Sequence, residues 1–417
     1  MSKIRIKNFG PIKQGYQDDD GFMDVKKVTV FIGNQGSGKS TVAKLITTFM
    51  WIEKALTRGD YKKSYFTRKG KFKNQFLKYF RLENYFPDEK SPNKTLIEYK
   101  GSAFNIRFDN GNLTFEDAQI GNYPLPQIMY VPAERNFAAN IRNPQKLSLT
   151  SESMVEFVSE LSNALEEMKG TLKLPINDVE VEYNKQFDII YIKGKVKDES
   201  YRIKLSEASS GFQSLLPLYL VSLYLAKSVK QQSENAQSAM TSDEMSKFRK
   251  GVEEIWSNES LNEEQRRIAL SVLSSKFKKT AFINIVEEPE QNLFPLSQHK
   301  MLNRLLEFNN NNEGNKLIMT THSPYLINYL TLAVKADMVN AKLNTEDSKQ
   351  KLDKIVPLLS TVNGNDLVIY ELDEKDGTIK KLKDYHGLPS DENDLNNELE
   401  ETNELFAQLQ EIEKGWR

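Results

Sequence analysis

"KVTVFIGNQGSGKSTVAKLITTFM", residues 27–50, contains a short β-rich run, a glycine loop and an amphipathic helical pattern, in that order. The residues from Gly33 to Ser40 match G-x-x-x-x-G-K-[ST]. Glycines at this spacing let backbone N–H groups wrap closely around phosphates, and the N-terminus of the following helix adds partial positive charge. The stretch therefore predicts an α/β fold in which a strand, a phosphate-binding loop and a helix follow one another.

Two side chains in this loop have roles toward a nucleotide. Lys39 can reach the β- and γ-phosphates, and the Ser40 hydroxyl can ligate Mg²⁺. A plain strand–turn–helix connection is the alternative. By chance alone, the pattern should occur in roughly one or two of every hundred chains of this length. We therefore predict ATP and Mg²⁺ as cofactors, with ATP bound by Gly33, Asn34, Gln35, Gly36, Ser37, Gly38, Lys39, Ser40 and Thr41.

A second decisive stretch lies nearly 250 residues downstream. The apolar run "TAFINIV", residues 280–286, is followed by "EEPEQNLFP", residues 287–295. Two adjacent carboxylates at the end of a buried strand are costly unless something compensates their charge. In P-loop nucleotide hydrolases a strand of this kind ends in a carboxylate that holds Mg²⁺ opposite the loop. We predict Glu287 as that metal ligand and Glu288 as the general base, with a solvated strand end as the alternative for a single glutamate.

Two further stretches complete the set of motifs. Residues 209–213, "SSGFQ", open an apolar helix and resemble the LSGGQ signature of ABC-type ATPases, although a Ser-Gly pair is also a common helix cap. His322 follows another apolar strand, where these ATPases carry a histidine that contacts the γ-phosphate; a structural histidine is the alternative. The signature residues implied to meet the P-loop of a second copy are Ser209, Ser210, Gly211 and Gln213.

The order of these motifs resembles that of ABC-type ATPases of the group that contains the RecF-like repair proteins and the OLD (overcoming lysogenization defect) nucleases. "EEPEQNLFP" resembles their EEPE-x-x-LHP box, with Phe294 where histidine is usual. "YVPAERNF", residues 130–137, resembles their PAER element, and residues 367–382 resemble their C-terminal hairpin. The resemblance covers nearly all of the chain and implies an ABC-type P-loop ATPase head with a central sheet, an antiparallel β subdomain and a helical lobe.

A narrower resemblance is to the ATPase subunits (AriA) of the PARIS anti-phage defence systems; the Septu-type ATPases (PtuA) share the same motifs. It implies a regulatory ATPase that restrains a separate Toprim-type nuclease effector (AriB-like) and releases it, in abortive infection, on meeting a phage anti-restriction protein that mimics DNA. It also implies an ATP-sandwich dimer or a higher homo-oligomer. A RecF-like DNA-binding repair ATPase is the alternative, and a transporter ATPase fits the PAER and EEPE elements less well.

The sequence also argues against a nuclease centre in this chain. A Toprim domain needs a glutamate and an Asp-x-Asp pair, and no Asp-x-Asp follows His322. Only three histidines are present, which is poor for an HNH site. We predict that the chain is an ATPase and not itself a nuclease.

The amino-acid composition indicates which cellular compartment the protein occupies. The 417 residues include no cysteine, which excludes disulfides and thiolate metal sites and favours a reducing compartment. Lys and Arg total 57 and Asp and Glu total 58, so the net charge indicates no class of partner. The N-terminus lacks an apolar signal region, and the longest apolar run, residues 215–226, is shorter than a membrane span. We predict a cytoplasmic protein without membrane contact.

Charge is nevertheless uneven along the chain. Residues 54–81 hold ten Lys and Arg, interleaved with aromatic residues, and a single acid, Asp60. Such a surface is expected to bind a polyanion, either duplex DNA or a DNA-mimicking protein. The alternative is a solvated basic loop that leads into a helix with Phe72, Phe76 and Tyr79 toward the core. The residues predicted to bind are Lys62, Lys63, Arg68, Lys69, Lys71 and Lys73.

We divide the chain into residues 1–229, the N-terminal part of the ATPase head; 230–279, a polar helical insertion expected to form a hairpin; and 280–417, the C-terminal part. Residues 391–413 hold nine acids and no base. Leu395, Leu399, Phe406 and Leu409 form an apolar stripe within them. We expect a terminal helix docked on the body through this stripe.

Overall fold

The computed structural model describes residues 2–58, 60–88, 90–109, 111–118, 123–140, 151–197, 199–234, 242–262, 265–266, 269, 273 and 279–415. The strands are β1 Ser2–Lys7, β2 Gly15–Tyr16, β3 Met23–Val25, β4 Val28–Gly33, β5 Leu96–Lys100, β6 Phe104–Asp109, β7 Asn112–Asp117, β8 Pro126–Val131, β9 Thr171–Lys173, β10 Glu180–Asn184, β11 Ile189–Val196, β12 Glu199–Lys204, β13 Ala281–Glu287, β14 Lys316–Thr320, β15 Leu367–Leu372, β16 Thr378–Lys381, β17 Asp384–Tyr385 and β18 Leu388–Pro389.

The helices are α1 Lys39–Arg58, α2 Lys63–Phe66, α3 Glu152–Glu167, α4 Ser210–Glu234, α5 Ser242–Ser257, α6 Pro295–Asn310, α7 Pro324–Asn340, α8 Glu346–Asp353 and α9 Asp394–Gly415. Two irregular helical segments matter below: a π-helical turn at Phe72–Leu77 and a 3₁₀ segment at Ala133–Asn140.

The central sheet has the strand order β2-β16-β15-β4-β14-β13-β8. Strands β15, β4, β14, β13 and β8 run parallel, and β16 pairs with β15 in the opposite direction. Every residue of β4 and β13 is buried, as expected for a parallel sheet covered on both faces. Because parallel strands end at the same edge, the segments that follow β4, β13 and β14 meet there.

Side chains of β4 alternate between two hydrophobic cores, one on each face of the sheet. Val30 and Ile32 pack into the core that contains α3, α4, α6 and α7. Phe31 packs into the other core, with α1 and the aromatic residues of the basic stretch. This period of two places one layer of helices on each face, because successive side chains of a strand point in opposite directions.

Two antiparallel sheets flank the central one. The first has the order β3-β1-β5-β6-β7 and the second β12-β11-β10-β9. They form the antiparallel β structure that the resemblance implies. The predicted α/β architecture, with a central sheet, an antiparallel β subdomain and flanking helices, is confirmed.

The docking predicted for the terminal helix is wrong. Phe406 and Leu409 of α9 are 62% and 63% exposed, whereas Leu395, in its first turn, packs partly buried against a core. The side chain of Leu399 lies outside the described residues. Apolar spacing shows which face of a helix is hydrophobic, but it does not show that another surface covers that face.

The proposed insertion is described only in part. Helix α4 continues without a break across position 229 to Glu234, and α5 follows from Ser242. Much of 258–279 lies outside the described residues, so the hairpin and the domain boundaries remain predictions. Among the described helices, α4 alone has the length and composition to span a membrane. A core helix passes the same test, and 67% of that stretch is buried inside the protein.

Candidate nucleotide-binding site

The loop between β4 and α1 has the backbone of a phosphate-binding loop. Gly33 and Gly38 have φ values of +136° and +106°, in the region that favours glycine. A Cβ on Gly33 would lie 2.3 Å from the carbonyl oxygen of Leu372 on the neighbouring strand. The turn from Asn34 to Gly36 is exposed, whereas Ser37, Lys39 and Thr41 are buried and Ser40 is half-buried. The structure therefore brings all the predicted ATP-binding residues into one loop and the first turn of α1.

Lys39 folds back over this loop. Its Nζ donates to the carbonyl oxygens of Gly33 and Asn34 at 2.7 and 2.8 Å. Burial lowers the pKa of Lys39 to about 8, although neighbouring carboxylates, Glu288 first among them, act in the opposite direction. A phosphate in the loop would provide the compensating charge that this desolvated ammonium lacks.

Glu287 is the last residue of β13 and is only 3% exposed. Its Oε2 accepts a hydrogen bond from the backbone N–H of Ala133 at 3.2 Å. Lys44, one turn beyond the loop on α1, lies 3.9 Å from Oε1. Among the described residues, neither this Oε1 nor the buried Oγ of Ser37 has a hydrogen-bond partner. Orphaned oxygens beside a phosphate-binding loop fit the polar ligands of a nucleotide and its Mg²⁺.

Glu288 occupies a strained backbone position directly after β13. Its φ of +43° is unusual for a residue with a side chain, and its N–H donates to the carbonyl of Thr320 on β14 at 2.9 Å. The carboxylate lies 3.7 Å from Nε2 of His322. Burial, and then the charge of Glu287, raise the pKa of Glu288. A carboxylate with a raised pKa is a better general base near neutral pH.

His322 follows β14 and faces the same edge. Burial, and then the charge of Lys39, lower the pKa of His322, which favours the neutral imidazole. Its backbone N–H donates to Oε1 of Glu290 at 2.8 Å. The sequence identifies Glu290 only as part of the EEPE box, whereas in the structure it ties the segments after β13 and β14 together.

Like Glu290, Arg135 has no role of its own in the sequence motifs. It is identified there only as a member of the PAER element. Its side chain is 0% exposed. The guanidinium donates to the carbonyls of Glu287 and Glu288, each at 2.6 Å, and to that of Ser214 in α4 at 3.1 Å. Burial lowers the pKa of Arg135 to about 10, with the nearby glutamates acting against this shift. One side chain thus joins the paired carboxylate residues to α4.

Arg135→Met should lower the free energy of unfolding by about 3 kcal/mol, because it leaves buried carbonyls without their donor while retaining most of the side-chain volume. Arg304→Met is the matched control, since Arg304 is 45% exposed and pairs with Glu307 on the surface; it should change stability by less than about 0.5 kcal/mol. Urea unfolding followed by fluorescence would compare them. Equal midpoints would show that Arg135 does not hold the site together.

The signature residues lie at the start of α4, where Ser209 and Ser210 are exposed. A Cβ on Gly211 would come within 2.8 Å of the carbonyl of Asn292, so glycine permits α4 to approach the segment after Glu288. Gln213 is turned inward, and its Nε2 donates to the carbonyl of Ala208 at 3.0 Å. Of the four signature residues predicted to contact the P-loop of a second copy, Ser209 and Ser210 are therefore the accessible ones in this conformation.

The basic stretch combines exposed charge with buried aromatic rings. Phe72 and Phe76 are buried, as the alternative of a core-facing helix predicts. Lys63 forms an exposed ion pair with Asp117 at 2.7 Å, and Nζ of Lys71 lies 4.4 Å from the ring centre of Tyr65. The remaining predicted residues are exposed: Lys62, Arg68, Lys69 and Lys73. The packing role and an electropositive surface therefore coexist.

One family model matches part of the chain. Residues 260–327 match the family described as "AAA ATPase domain". The matched segment contains β13, both carboxylate residues of the strand end, β14 and His322. The match is confined to this segment, which is well under half of the chain. No curated protein matches the sequence.

Solved structures share only a distant likeness. The SMC head domain from Thermotoga maritima has a TM-score of 0.34 at 10% identity, over 92% of this chain and 98% of that chain. An Smc head domain with an extended coiled coil from Pyrococcus furiosus has a TM-score of 0.34 at 12% identity, over 98% and 100%. A dimeric ATP-binding cassette bound to ADP and Pi has a TM-score of 0.29 at 12% identity, over 92% and 100%.

Proposed function

We propose that this site binds ATP with Mg²⁺ and hydrolyses it, with Glu288 as the general base. The observation that carries the proposal is the meeting of Lys39, Glu288 and His322 at one edge of the sheet. Glu288 lies 3.7 Å from His322. Burial and then Glu287 raise the pKa of Glu288, with Arg135 and Lys39 acting against this shift, and burial and then Lys39 lower the pKa of His322. A base that orients the attacking water and an ammonium at the β- and γ-phosphates are recurring parts of phosphoryl-transfer sites.

The chain's own residues would divide the reaction as follows. The loop amides and Lys39 hold the β- and γ-phosphates. Glu288 accepts the proton of the water that attacks the γ-phosphorus, while the bond between the γ-phosphorus and the ADP oxygen breaks. Neutral His322 can donate its N–H to a γ-phosphate oxygen. Ser40 and Glu287 would hold Mg²⁺, which when bound offsets the negative charge of the phosphates.

A second copy of the chain would complete the site. The start of α4 packs against Asn292 within its own chain, while Ser209 and Ser210 face solvent. Hydroxyl groups at the positive end of a long helix suit a phosphate from outside the chain. We therefore propose an ATP-sandwich dimer, which higher homo-oligomers could incorporate.

At a finer level, we propose a regulatory ATPase of an anti-phage defence system that restrains a separate Toprim-type nuclease. Support comes from the resemblance of the EEPE and PAER elements and from the absence of an Asp-x-Asp pair after His322 in the sequence. Arg135 of the PAER element and Glu290 of the EEPE box both bond to the segments beside the carboxylate pair, which offers a reason for the two elements to occur together with that pair. A RecF-like DNA-binding ATPase is the second candidate, favoured by the exposed basic residues.

We expect the purified chain to cleave no DNA or RNA with Mg²⁺ or Mn²⁺, and a nuclease encoded beside it to do so. The reason is the missing set of metal-binding acids. Co-expression of the chain with each neighbouring gene, scored for growth and for the integrity of cellular DNA and RNA, tests this arrangement. Metal-dependent cleavage by the purified chain, abolished by a substitution within it, would contradict the division of labour.

The exposed basic residues should bind polyanions in a salt-dependent manner. Replacing Lys62, Lys63, Arg68, Lys69, Lys71 and Lys73 by Glu should weaken binding of duplex DNA, or of an acidic DNA-mimic protein, by more than about tenfold. For every DNA phosphate that the variant no longer neutralises, the slope of log affinity against log salt should fall by about 0.9. Lys63 should contribute least, because Asp117 already pairs with it.

The matched control reverses six exposed lysines elsewhere: Lys169, Lys195, Lys197, Lys227, Lys230 and Lys342. Both variants must still bind ATP. If the two variants bind the polyanions alike, the basic stretch is not a specific surface. DNA-stimulated ATP turnover in the unmodified chain would favour the repair-type alternative.

A further inference from the structure

A half-open pocket of about 270 Å³ lies beside α1, away from the phosphate-binding loop. Its walls come from α1, the π-helical turn, β8 and the first turns of α3. The volume is just below the range of drug-sized ligand sites. Nothing in the proposed ATPase cycle uses this space, although Tyr130, on its floor, also lies beside Glu287, whose charge adds to burial in raising the pKa of Tyr130.

Aromatic rings form one side of the pocket and remain open to solvent. Trp51 and Tyr61 are 39% and 37% exposed. Their ring centres lie 6.1 Å apart, and that of Phe76 lies 5.7 Å from Trp51. Partly exposed aromatic rings that line an open pocket can contact a ligand, and the faces of such rings attract cations.

Two carboxylates also line the pocket. Glu152 and Glu156 line the pocket from one face of α3, one helical turn apart. Glu156 accepts a hydrogen bond from the hydroxyl of Tyr79, which fixes its position. Burial raises the pKa of Glu156, with the hydrogen bond from Tyr79 and the charge of Lys54 acting against this shift. Lys54 is not part of the pocket wall. Two like charges held side by side favour a ligand that can bridge them.

We propose that this pocket binds an organic cation, a guanidinium or alkylammonium group on a short stem. Aromatic rings and a pair of carboxyl groups lining one pocket complement the charge of such a headgroup and its preference for ring faces. A phosphate or carboxylate ligand would be repelled by Glu152 and Glu156. The headgroup could belong to a small free amine or to an arginine side chain of another protein.

Isothermal titration of the full chain without ATP tests the proposal. The probes are agmatine and the tripeptide acetyl-Gly-Arg-Gly-amide, with the citrulline tripeptide as a neutral analogue of the same size, all at constant ionic strength. We expect at least one cation to bind with a dissociation constant on the order of 1 mM or tighter. The citrulline tripeptide should bind at least tenfold more weakly. Tighter binding of agmatine would identify a free amine as the source, and tighter binding of the arginine tripeptide a protein side chain.

Two variants separate the pocket from general surface charge. Glu152→Gln with Glu156→Gln should weaken cation binding at least tenfold, and Trp51→Leu should do so without changing any charge. Glu346→Gln with Asp347→Asn, an exposed acidic pair in the first turn of α8, should leave binding unchanged. Absence of binding by both cations, equal binding of the neutral tripeptide, or full binding by both pocket variants would overturn the proposal. ATP binding is measured separately, so failure of this site leaves the ATPase proposal standing.

Discussion

Lys39→Ala should lower the affinity of the chain for ATP by at least about 100-fold, equivalent to about 2.7 kcal/mol. The substitution removes the ammonium that we propose to bind the phosphates. It also leaves the carbonyls of Gly33 and Asn34 without their hydrogen-bond donor. Titration with a fluorescent ATP analogue measures the loss, with Lys342→Ala, at an exposed site, as the control. An affinity within threefold of the unmodified chain would contradict the loop assignment.

The same lysine gives the binding a pH dependence. Its pKa in the nucleotide-free protein is lowered to about 8, mainly by burial. Below that pH the ammonium is already charged and ATP affinity should be flat. Above it a proton must be taken up on binding, so affinity should fall by up to about tenfold per pH unit. Lys39→Ala should lose this dependence.

Glu288→Gln should reduce ATP turnover by about 10²- to 10⁴-fold while ATP remains bound. Glutamine keeps the size of the side chain but cannot accept the proton of the attacking water. Removing one negative charge beside Glu287 also lessens repulsion of the phosphates, so the ATP-bound dimer should persist. Phosphate release and size-exclusion chromatography with ATP measure the two effects.

Glu313→Gln, at an exposed position after α6, is the control for this substitution and should keep normal turnover. In the unmodified chain, turnover should fall as the pH drops through the pKa of Glu288, because the base must be unprotonated. Since that pKa is raised, the fall should begin at a higher pH than for an ordinary glutamate. Unchanged turnover in Glu288→Gln would place the base elsewhere, with Glu287 the first candidate.

Local patterns predict much of the site because its key residues sit in short motifs with fixed geometry. The glycines of the loop, and the carboxylates that end β13, have roles that their neighbours in the sequence define. Arg135 cannot be understood in the same way. Its partners, Ser214, Glu287 and Glu288, are 79 to 153 residues away in the sequence, so its role exists only once those segments have packed.

The terminal helix shows a different limit. Its apolar stripe does lie on a helix, as the spacing predicts, but Phe406 and Leu409 face solvent. Acidic residues surround the stripe, and burying them would require partners for each charge. Helical periodicity is a property of the segment, whereas burial depends on a second surface that the segment does not encode.

Because β4 lies at the centre of the sheet, it can pair with its neighbours only after much later parts of the chain have been synthesised. Val28 is paired with Leu317 on one side and Leu367 on the other, 289 and 339 residues later in the chain. At typical rates of translation the ribosome needs between about 15 and 70 s to reach the second partner. Until then the apolar strand β4 lacks its partner strands, and the phosphate-binding loop is not supported by a formed sheet. The pairing of β4, and with it the base of the phosphate-binding loop, can therefore be complete only after residue 372 has been synthesised.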